Sequence, residues 1–139
     1  MKYLILLPII FYSFVNNSDR VDLKVTVTNL NTLKGNIQIG LYNNPNSFPE
    51  KTKEFKAYSK AVTNNTMTIV LKDLIKDDYA ISLYHDINSD GKCNLNFLGI
   101  PIEPYGFSKN FKPVLSKPSF NDCKIELDKN MTIVIKLID

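Results

Sequence analysis

Hydrophobic and polar residues alternate with a period of two along most of this chain. In "VDLKVTV", residues 21–27, Val21, Leu23, Val25 and Val27 fall on one face and polar side chains on the other. The same alternation recurs in five further segments, at 35–42, 67–74, 78–86, 123–127 and 131–138. Together with the many β-branched residues, this pattern predicts short strands that each bury one face.

The connections between these segments are rich in turn-forming residues. "TNLNTLKG" (28–35) predicts a short turn between the first two strands, and "DKN" (128–130) a tight hairpin. Only 50–61 could carry a helical turn or two. The sequence therefore predicts an all-β protein, an antiparallel β-sandwich of about seven strands, immunoglobulin-like or transthyretin-like, with one long ordered loop.

The N-terminus has the composition of a secretory leader. Lys2 is followed by an apolar run from Tyr3 to Val15 and then by polar residues, and the run is short for a membrane span. We expect a signal peptide at 1–18, a single domain at 19–139, and export to the periplasm or cell surface. An uncleaved anchor and a buried first strand are the alternatives.

Charge and cysteine content narrow the classes of partner. The net charge of +3 comes from basic residues scattered along the chain, so a nucleic-acid partner is not expected, nor is a membrane partner after cleavage. Cys93 and Cys123 would meet oxidising conditions outside the cell. Either they pair in a disulfide or they are two buried thiols, and the spacing does not decide.

A run of oxygen-bearing side chains follows the fourth alternating segment, 78–86. Asp86, Asn88, Asp90 and Gly91 fit the first half of the calcium-loop pattern D-x-[DN]-x-[DN]-G. Calcium prefers six to eight oxygen ligands, which alternate residues of a curved loop can supply. The predicted metal ligands are Asp86, Asn88, Asp90, Lys92 through its carbonyl, Asn94 and Glu103.

The second half of the calcium pattern is different. The closing position is Phe97 instead of glutamate, and a strand instead of a helix precedes the loop, so this is not an EF-hand. We expect Glu103 to supply the missing carboxylate and Ca²⁺ to bind weakly, at about 10⁻⁴–10⁻³ M. In the competing interpretation the loop holds no metal, and its Asp and Asn side chains bond their own backbone.

The adjoining residues invite two further interpretations. His85 and Asp86 are neighbours on a strand and point to opposite faces, which argues against a catalytic pair. In "GIPIEPYGFS" (99–108), prolines and glycines stiffen the chain, and the aromatic side chains either cover one end of the sandwich or form a ligand platform.

The string "YAISLYHDINSDGK…N…GIPIEPYGFS" resembles the DUF2141 family, a domain of unknown function in exported bacterial proteins. The resemblance covers about residues 21–139 and implies a β-sandwich and export, but no reaction. Three departures are Cys93-Asn94 for Leu-Asp, Asp77-Asp78 for Pro-Gly, and Lys109 for asparagine. The matching residues are Tyr79, Ala80, His85, Asp86, Asn88, Asp90, Gly91, Lys92, Gly99, Ile100, Pro101, Glu103, Gly106, Phe107, Ser108 and Asn110.

These observations favour an exported, non-enzymatic module. Its calcium-type loop would order the Pro/Gly/aromatic loop for contact with an extracellular or periplasmic protein or a glycan. The alternative is a small metal-dependent hydrolase or lyase that uses His85, Asp86 and Glu103.

Overall fold

A computed structural model describes residues 19–139, and the predicted signal peptide at 1–18 lies outside this range. In the described part of the chain, eight strands, a short 3₁₀ turn (Ser108–Asn110) and one helical turn, α1 (Phe120–Cys123), follow one another. The strands are β1 (Arg20–Thr28), β2 (Asn36–Tyr42), β3 (Lys56–Ala61), β4 (Met67–Ile75), β5 (Asp77–Asp86), β6 (Tyr105–Phe107), β7 (Ile125–Leu127) and β8 (Met131–Lys136).

The strands form two sheets. The smaller sheet has the order β4-β1-β8, with β1 antiparallel to β4 and parallel to β8. The larger sheet has the order β3-β2-β5-β6, all antiparallel, and β7 pairs with the first residues of β5 beyond the end of β6. The prediction of an all-β sandwich is confirmed.

The main core lies between the two sheets and contains the alternating residues that the sequence assigned to it. Leu23, Val25 and Val27 of β1 are fully buried, as are Ile37 and Leu41 of β2. Leu71, Ile81, Leu83, Leu127 and Ile135 complete the centre of this cluster. The eight described strands and the two apolar clusters formed by residues 19–139 pack on one another, so the described segment has its own core.

A second apolar cluster covers one end of the larger sheet on its outer face, which is the face turned away from the smaller sheet. Phe48 is at its centre, with its ring edge-on to Tyr42, Phe107 and Phe120 at centroid distances of 5.2, 6.1 and 6.2 Å. Ala80 and Cys123 are also buried there. The end of the sheet near the start of β5 is therefore closed.

Three local predictions are wrong, two because of long-range strand pairing and one because of a local helix cap. Residues 128–130 do not close a hairpin, because they connect β7 of the larger sheet to β8 of the smaller one. Residues 29–35 connect the first two strands, as the sequence predicted, and cross from one sheet to the other. The second half of 50–61 forms strand β3 rather than a helix, since its backbone pairs with β2. Cys123 ends helix α1 and does not begin a strand, because Ser119 and Asp122 form a capping box around that turn.

Within residues 19–139 there is no helix long and apolar enough to cross a membrane.

Candidate functional site

The middle of the larger sheet's outer face is open. Its floor consists of residues of β2 and β5 that the pairing register places side by side, Gln38 beside Tyr84 and Gly40 beside Ser82. The closed aromatic cluster lies beyond Gly40 and Ser82. At the other end, Asn36 pairs with Asp86, where β5 passes into the predicted calcium-type loop. We call residues 86–94 the Asp86 loop.

Asp86 organises this loop from its first position. Its side chain is 1% exposed. Oδ1 accepts a hydrogen bond from the backbone N–H of Asp90 (3.1 Å), and Oδ2 accepts one from the N–H of Gly91 (3.0 Å) and one from the Gln38 amide (3.3 Å). A carboxylate can accept about four hydrogen bonds, so three donors nearly satisfy it. Asp86 therefore curls the loop back over the end of β5.

The other polar side chains of the loop converge on Asp90. Its Oδ2 accepts from the amide groups of Asn88 (3.2 Å) and Asn94 (3.1 Å), and its Oδ1 accepts from the N–H of Lys92 (2.8 Å). These bonds favour the charged carboxylate, and they hold the pKa of Asp90 below its usual value, with the Asn94 amide as the main cause. The Lys92 side chain is exposed.

Glu103 joins the two ends of the loop. It is 8% exposed, and its Oε1 accepts from the N–H of Ile87 (3.0 Å) while its Oε2 accepts from the N–H of Asn94 (3.2 Å). A carboxylate that accepts two backbone N–H groups is a charge-assisted clamp. The segment after the loop is thereby fixed to the loop's base.

The predicted metal ligands therefore gather in one place, where they bond one another and the backbone as the metal-free interpretation expects. In the described part of the chain, no group of three or more His, Cys, Asp or Glu side chains is arranged to hold a metal ion. The oxygens of Asp90 and Asn94 nevertheless surround the amide of Asn88. If the two asparagine amides turned over, they would present oxygens to a cation at the centre of the loop.

The next segment is a miniature hairpin, residues 94–102, which we call the tip hairpin. The N–H of Ile102 donates to the carbonyl of Asn94 (2.9 Å), and the N–H of Asn96 donates to the carbonyl of Ile100 (2.8 Å). The Asn96 side chain accepts from the N–H groups of Leu98 and Ile100. The prediction that this loop is ordered agrees with these bonds.

A groove of about 830 Å³ runs over the open floor. One wall is the loop that carries Pro49, Glu50 and Glu54. The other walls are the tip hairpin, through Leu95, Leu98 and Ile100, and residues 113–118, through Val114 and Leu115. We call residues 113–118 the proline loop. Sites for small molecules have volumes of about 300–1,000 Å³, so the size is suitable.

Lys51 crosses the groove and ties its walls together. Its Nζ donates to the Tyr84 hydroxyl (3.1 Å) and to the carbonyl of Gly91, and it lies 5.4 Å from the centre of the Tyr84 ring. Burial raises the pKa of Tyr84, and the Lys51 ammonium partly opposes the shift. Lys51 is therefore a cation held over the polar floor of a groove whose walls include both apolar and charged side chains.

Gly40 allows the opposite wall to approach the floor. A Cβ at this position would lie 2.9 Å from the Glu54 side chain and 2.9 Å from the Tyr42 ring. A glycine inside a strand is typical of such a close approach. Gly40 and Ser82 are two small residues side by side, and such a pair indicates open space above the sheet. The sequence alone does not reveal this pair, because recognising it requires the register of β2 against β5.

The residues of the catalytic alternative are not on one side of the sheet. His85 faces the inter-sheet side, is 1% exposed, and its Nε2 lies 2.6 Å from the carbonyl of Lys34. Asp86 and Glu103 face the loop instead. Both cysteines are free: burial raises the pKa of Cys123 to about 12, and burial together with Glu103 raises that of Cys93.

The fold and site define a class: a β-sandwich with an open, loop-walled groove on the outer face of one sheet. The chain belongs to the family described as "Uncharacterized protein conserved in bacteria (DUF2141)", whose profile matches residues 25–134. No curated protein and no solved structure matches it.

Proposed function

We propose that this chain is an exported, non-enzymatic binding module that holds a small amphipathic molecule in its outer groove. The groove itself carries the proposal, because it is a concave site with aliphatic walls and a few hydrogen-bonding groups at its floor. That combination is typical of small-molecule sites. Export is proposed from the composition of residues 1–18.

The lining favours one class of ligand. Leu95, Leu98, Ile100, Val114 and Leu115 line the apolar part, while Gln38, Ser82 and Lys51 provide hydrogen-bond donors. An apolar body with one anionic or hydrogen-bonding end would satisfy both parts. The sequence left a protein or a glycan open as the partner. The aliphatic walls favour an amphipathic molecule over a glycan, because a glycan would leave them facing hydroxyl groups.

The fluorescent anion 8-anilinonaphthalene-1-sulfonate tests the groove, since it has an apolar body and a sulfonate. We expect this dye to bind the folded chain. The Ser82→Phe substitution, which fills the floor of the groove, should weaken that binding at least about tenfold. Thr132→Phe places the same side chain on the exposed face of the smaller sheet and is the control. Equal binding by both variants, each unfolding cooperatively, would exclude the groove as the site.

We further propose that Ca²⁺ binds weakly in the Asp86 loop and strengthens the support of the tip hairpin. The ligands would be Asp86, Asn88, Asp90, the Lys92 carbonyl and Asn94, with Glu103 fixing the base. A ligand present at 10–100 times its dissociation constant stabilises the folded state by about 1.4–2.7 kcal/mol.

Unfolding in about 10 mM calcium, which is about 10–100 times the expected dissociation constant, in magnesium and in chelator tests this second part. We expect only calcium to raise the melting temperature, and Asp90→Asn, which keeps the shape but removes a charge, to abolish the rise. A melting temperature that is the same in calcium and chelator would refute calcium binding but leave the groove proposal intact.

A further inference from the structure

The tip hairpin presents large apolar side chains to solvent. Its turn runs from Asn96 to Gly99, closed by the Gly99 N–H on the Asn96 carbonyl (3.0 Å), so Phe97 and Leu98 occupy the two central positions. Phe97 is 95% exposed and Leu98 68%. Central turn positions usually carry Gly, Pro, Asn, Asp or Ser. Both side chains are exposed, so they add little hydrophobic stabilisation to the folded domain.

The proline loop forms a second apolar tip on the same side of the molecule. Val114 is 89% exposed and Leu115 98%. An ion pair between Lys117 and Glu50 (3.2 Å) connects this loop to the groove wall that carries Pro49, Glu50 and Glu54. Because Leu98, Val114 and Leu115 all line the outer groove, the two tips flank one opening.

The segment that carries both tips is basic. Between residues 91 and 118 there are four lysines, Lys92, Lys109, Lys112 and Lys117, and one acidic residue, Glu103. Glu103 is buried and bonded to two backbone N–H groups, so its charge is turned inward. The lysine side chains are exposed.

We propose that these two tips dock this domain on an anionic lipid surface, with Phe97, Leu98, Val114 and Leu115 entering the interface and the lysines contacting the headgroups. Apolar side chains combined with nearby basic residues are what binding to such a surface requires. The sequence predicted no membrane partner after cleavage, because it counted charge over the whole chain. Because Glu103 is buried and Lys117 is paired with Glu50, Lys92, Lys109 and Lys112 are left as the exposed charges of this segment.

This docking does not require the groove to be filled, so its test is separate from that of the ligand. Residues 19–139 are mixed with vesicles of phosphatidylcholine alone or with an equal part of phosphatidylglycerol, and bound protein is recovered by flotation. We expect binding to the anionic vesicles at low salt, release at high salt, and little binding to phosphatidylcholine alone. No recovery on anionic vesicles at low salt would overturn the proposal.

Matched variants locate the contact. We expect Phe97→Ser and Leu115→Ser each to weaken recovery about tenfold, since each removes a large apolar side chain from the interface. Leu33→Ser makes the same change at a side chain that is 53% exposed and lies outside the groove walls, and it should have no effect. Equal losses in all three variants would exclude the tips.

A spectroscopic readout separates insertion from simple charge attraction. The chain has no tryptophan, so Phe97→Trp introduces a single reporter. We expect its emission to shift to the blue on anionic vesicles and brominated lipids to quench it, whereas Leu33→Trp should show neither. If heparin, a polyanion without lipid, bound as well as the vesicles and the emission never shifted, the site would be a polyanion or acidic-protein surface and lipid docking would be wrong.

Discussion

Replacement of Glu103 by glutamine tests how the Asp86 loop is held. The substitution keeps the size and shape of the side chain and changes only its charge and one of its two oxygens. At present both oxygens accept backbone N–H groups, from Ile87 at 3.0 Å and Asn94 at 3.2 Å, in a setting that is 8% exposed. Glutamine offers one oxygen and one NH₂ group, so one of the two backbone donors must face another donor.

The expected cost follows from these two bonds. A hydrogen bond to a charged group contributes about 1.5–3 kcal/mol, a neutral one about 0.5–1.5 kcal/mol. Glu103→Gln turns one charged bond into a neutral one and removes the other. Some water can reach the site, so we expect the free energy of unfolding to fall by about 2–3 kcal/mol. That is a large fraction of the roughly 5–15 kcal/mol typical of a domain.

Urea denaturation of residues 19–139 measures the global effect, and hydrogen exchange at the amides of Ile87 and Asn94 measures the local one. The control is Glu126→Gln, the same change at an exposed glutamate of β7, which should alter stability by less than about 0.5 kcal/mol. If Glu103→Gln matched this control in urea and left both amides equally protected, the clamp would not exist.

Three further predictions test other parts of the structure. In urea denaturation, Gly35→Ala should destabilise the fold by more than about 3 kcal/mol, because φ is +68° and the new Cβ would lie 2.0 Å from the Asp86 carbonyl oxygen. Gly91→Ala, where φ is +73° but the space around the new Cβ is open, should destabilise it by only about 1–2 kcal/mol. Equal losses of stability would contradict the steric argument. Asn94→Ala should raise the pKa of Asp90 in an NMR titration, because it removes the main hydrogen bond that lowers this pKa. A carboxyl group whose pKa is lower in the folded than in the unfolded state stabilises the fold above its unfolded-state pKa, and this stability is lost as the pH falls through its folded-state pKa. The parent loop should therefore keep its amide protection to lower pH than the variant, and an unchanged pKa would contradict this. Iodoacetamide in mildly alkaline buffer should modify Cys93 first and Cys123 only after unfolding, as peptide mass spectrometry can show; early labelling of Cys123 would contradict its burial.

The sequence predicted the fold correctly where the two-residue alternation of apolar and polar side chains was sufficient to identify a strand and its buried face. Alternation in β1 and β2 identified their buried faces, because each strand has one face against the same core. It failed where pairing partners mattered. The turn at 128–130 resembles that of a hairpin, but β7 pairs with β5 and β8 pairs with β1, and a local pattern does not contain that choice.

The site was predictable only in part, for the same reason. Spacing alone brought Asp86, Asn88 and Asp90 together, because they are close in the chain. The role of Glu103 as a clamp required knowing where the chain returns after the tip hairpin. The groove required the register of β2 against β5, which places Gly40 beside Ser82. Lys51 lies in 50–61, the segment for which the sequence left a helical turn or two open.

The hydrogen bonds of the Asp86 loop bear on both its calcium affinity and its support of the groove. Asp86 and Glu103 already accept five hydrogen bonds between them, four of which come from backbone N–H groups. A cation would share those oxygens and would first have to turn the amides of Asn88 and Asn94, so part of its binding free energy would be spent on rearrangement. The same bonds already hold the tip hairpin in place as a wall. We therefore infer that the wall stands without calcium, and that calcium bound as proposed would add rigidity to a groove that is formed in advance.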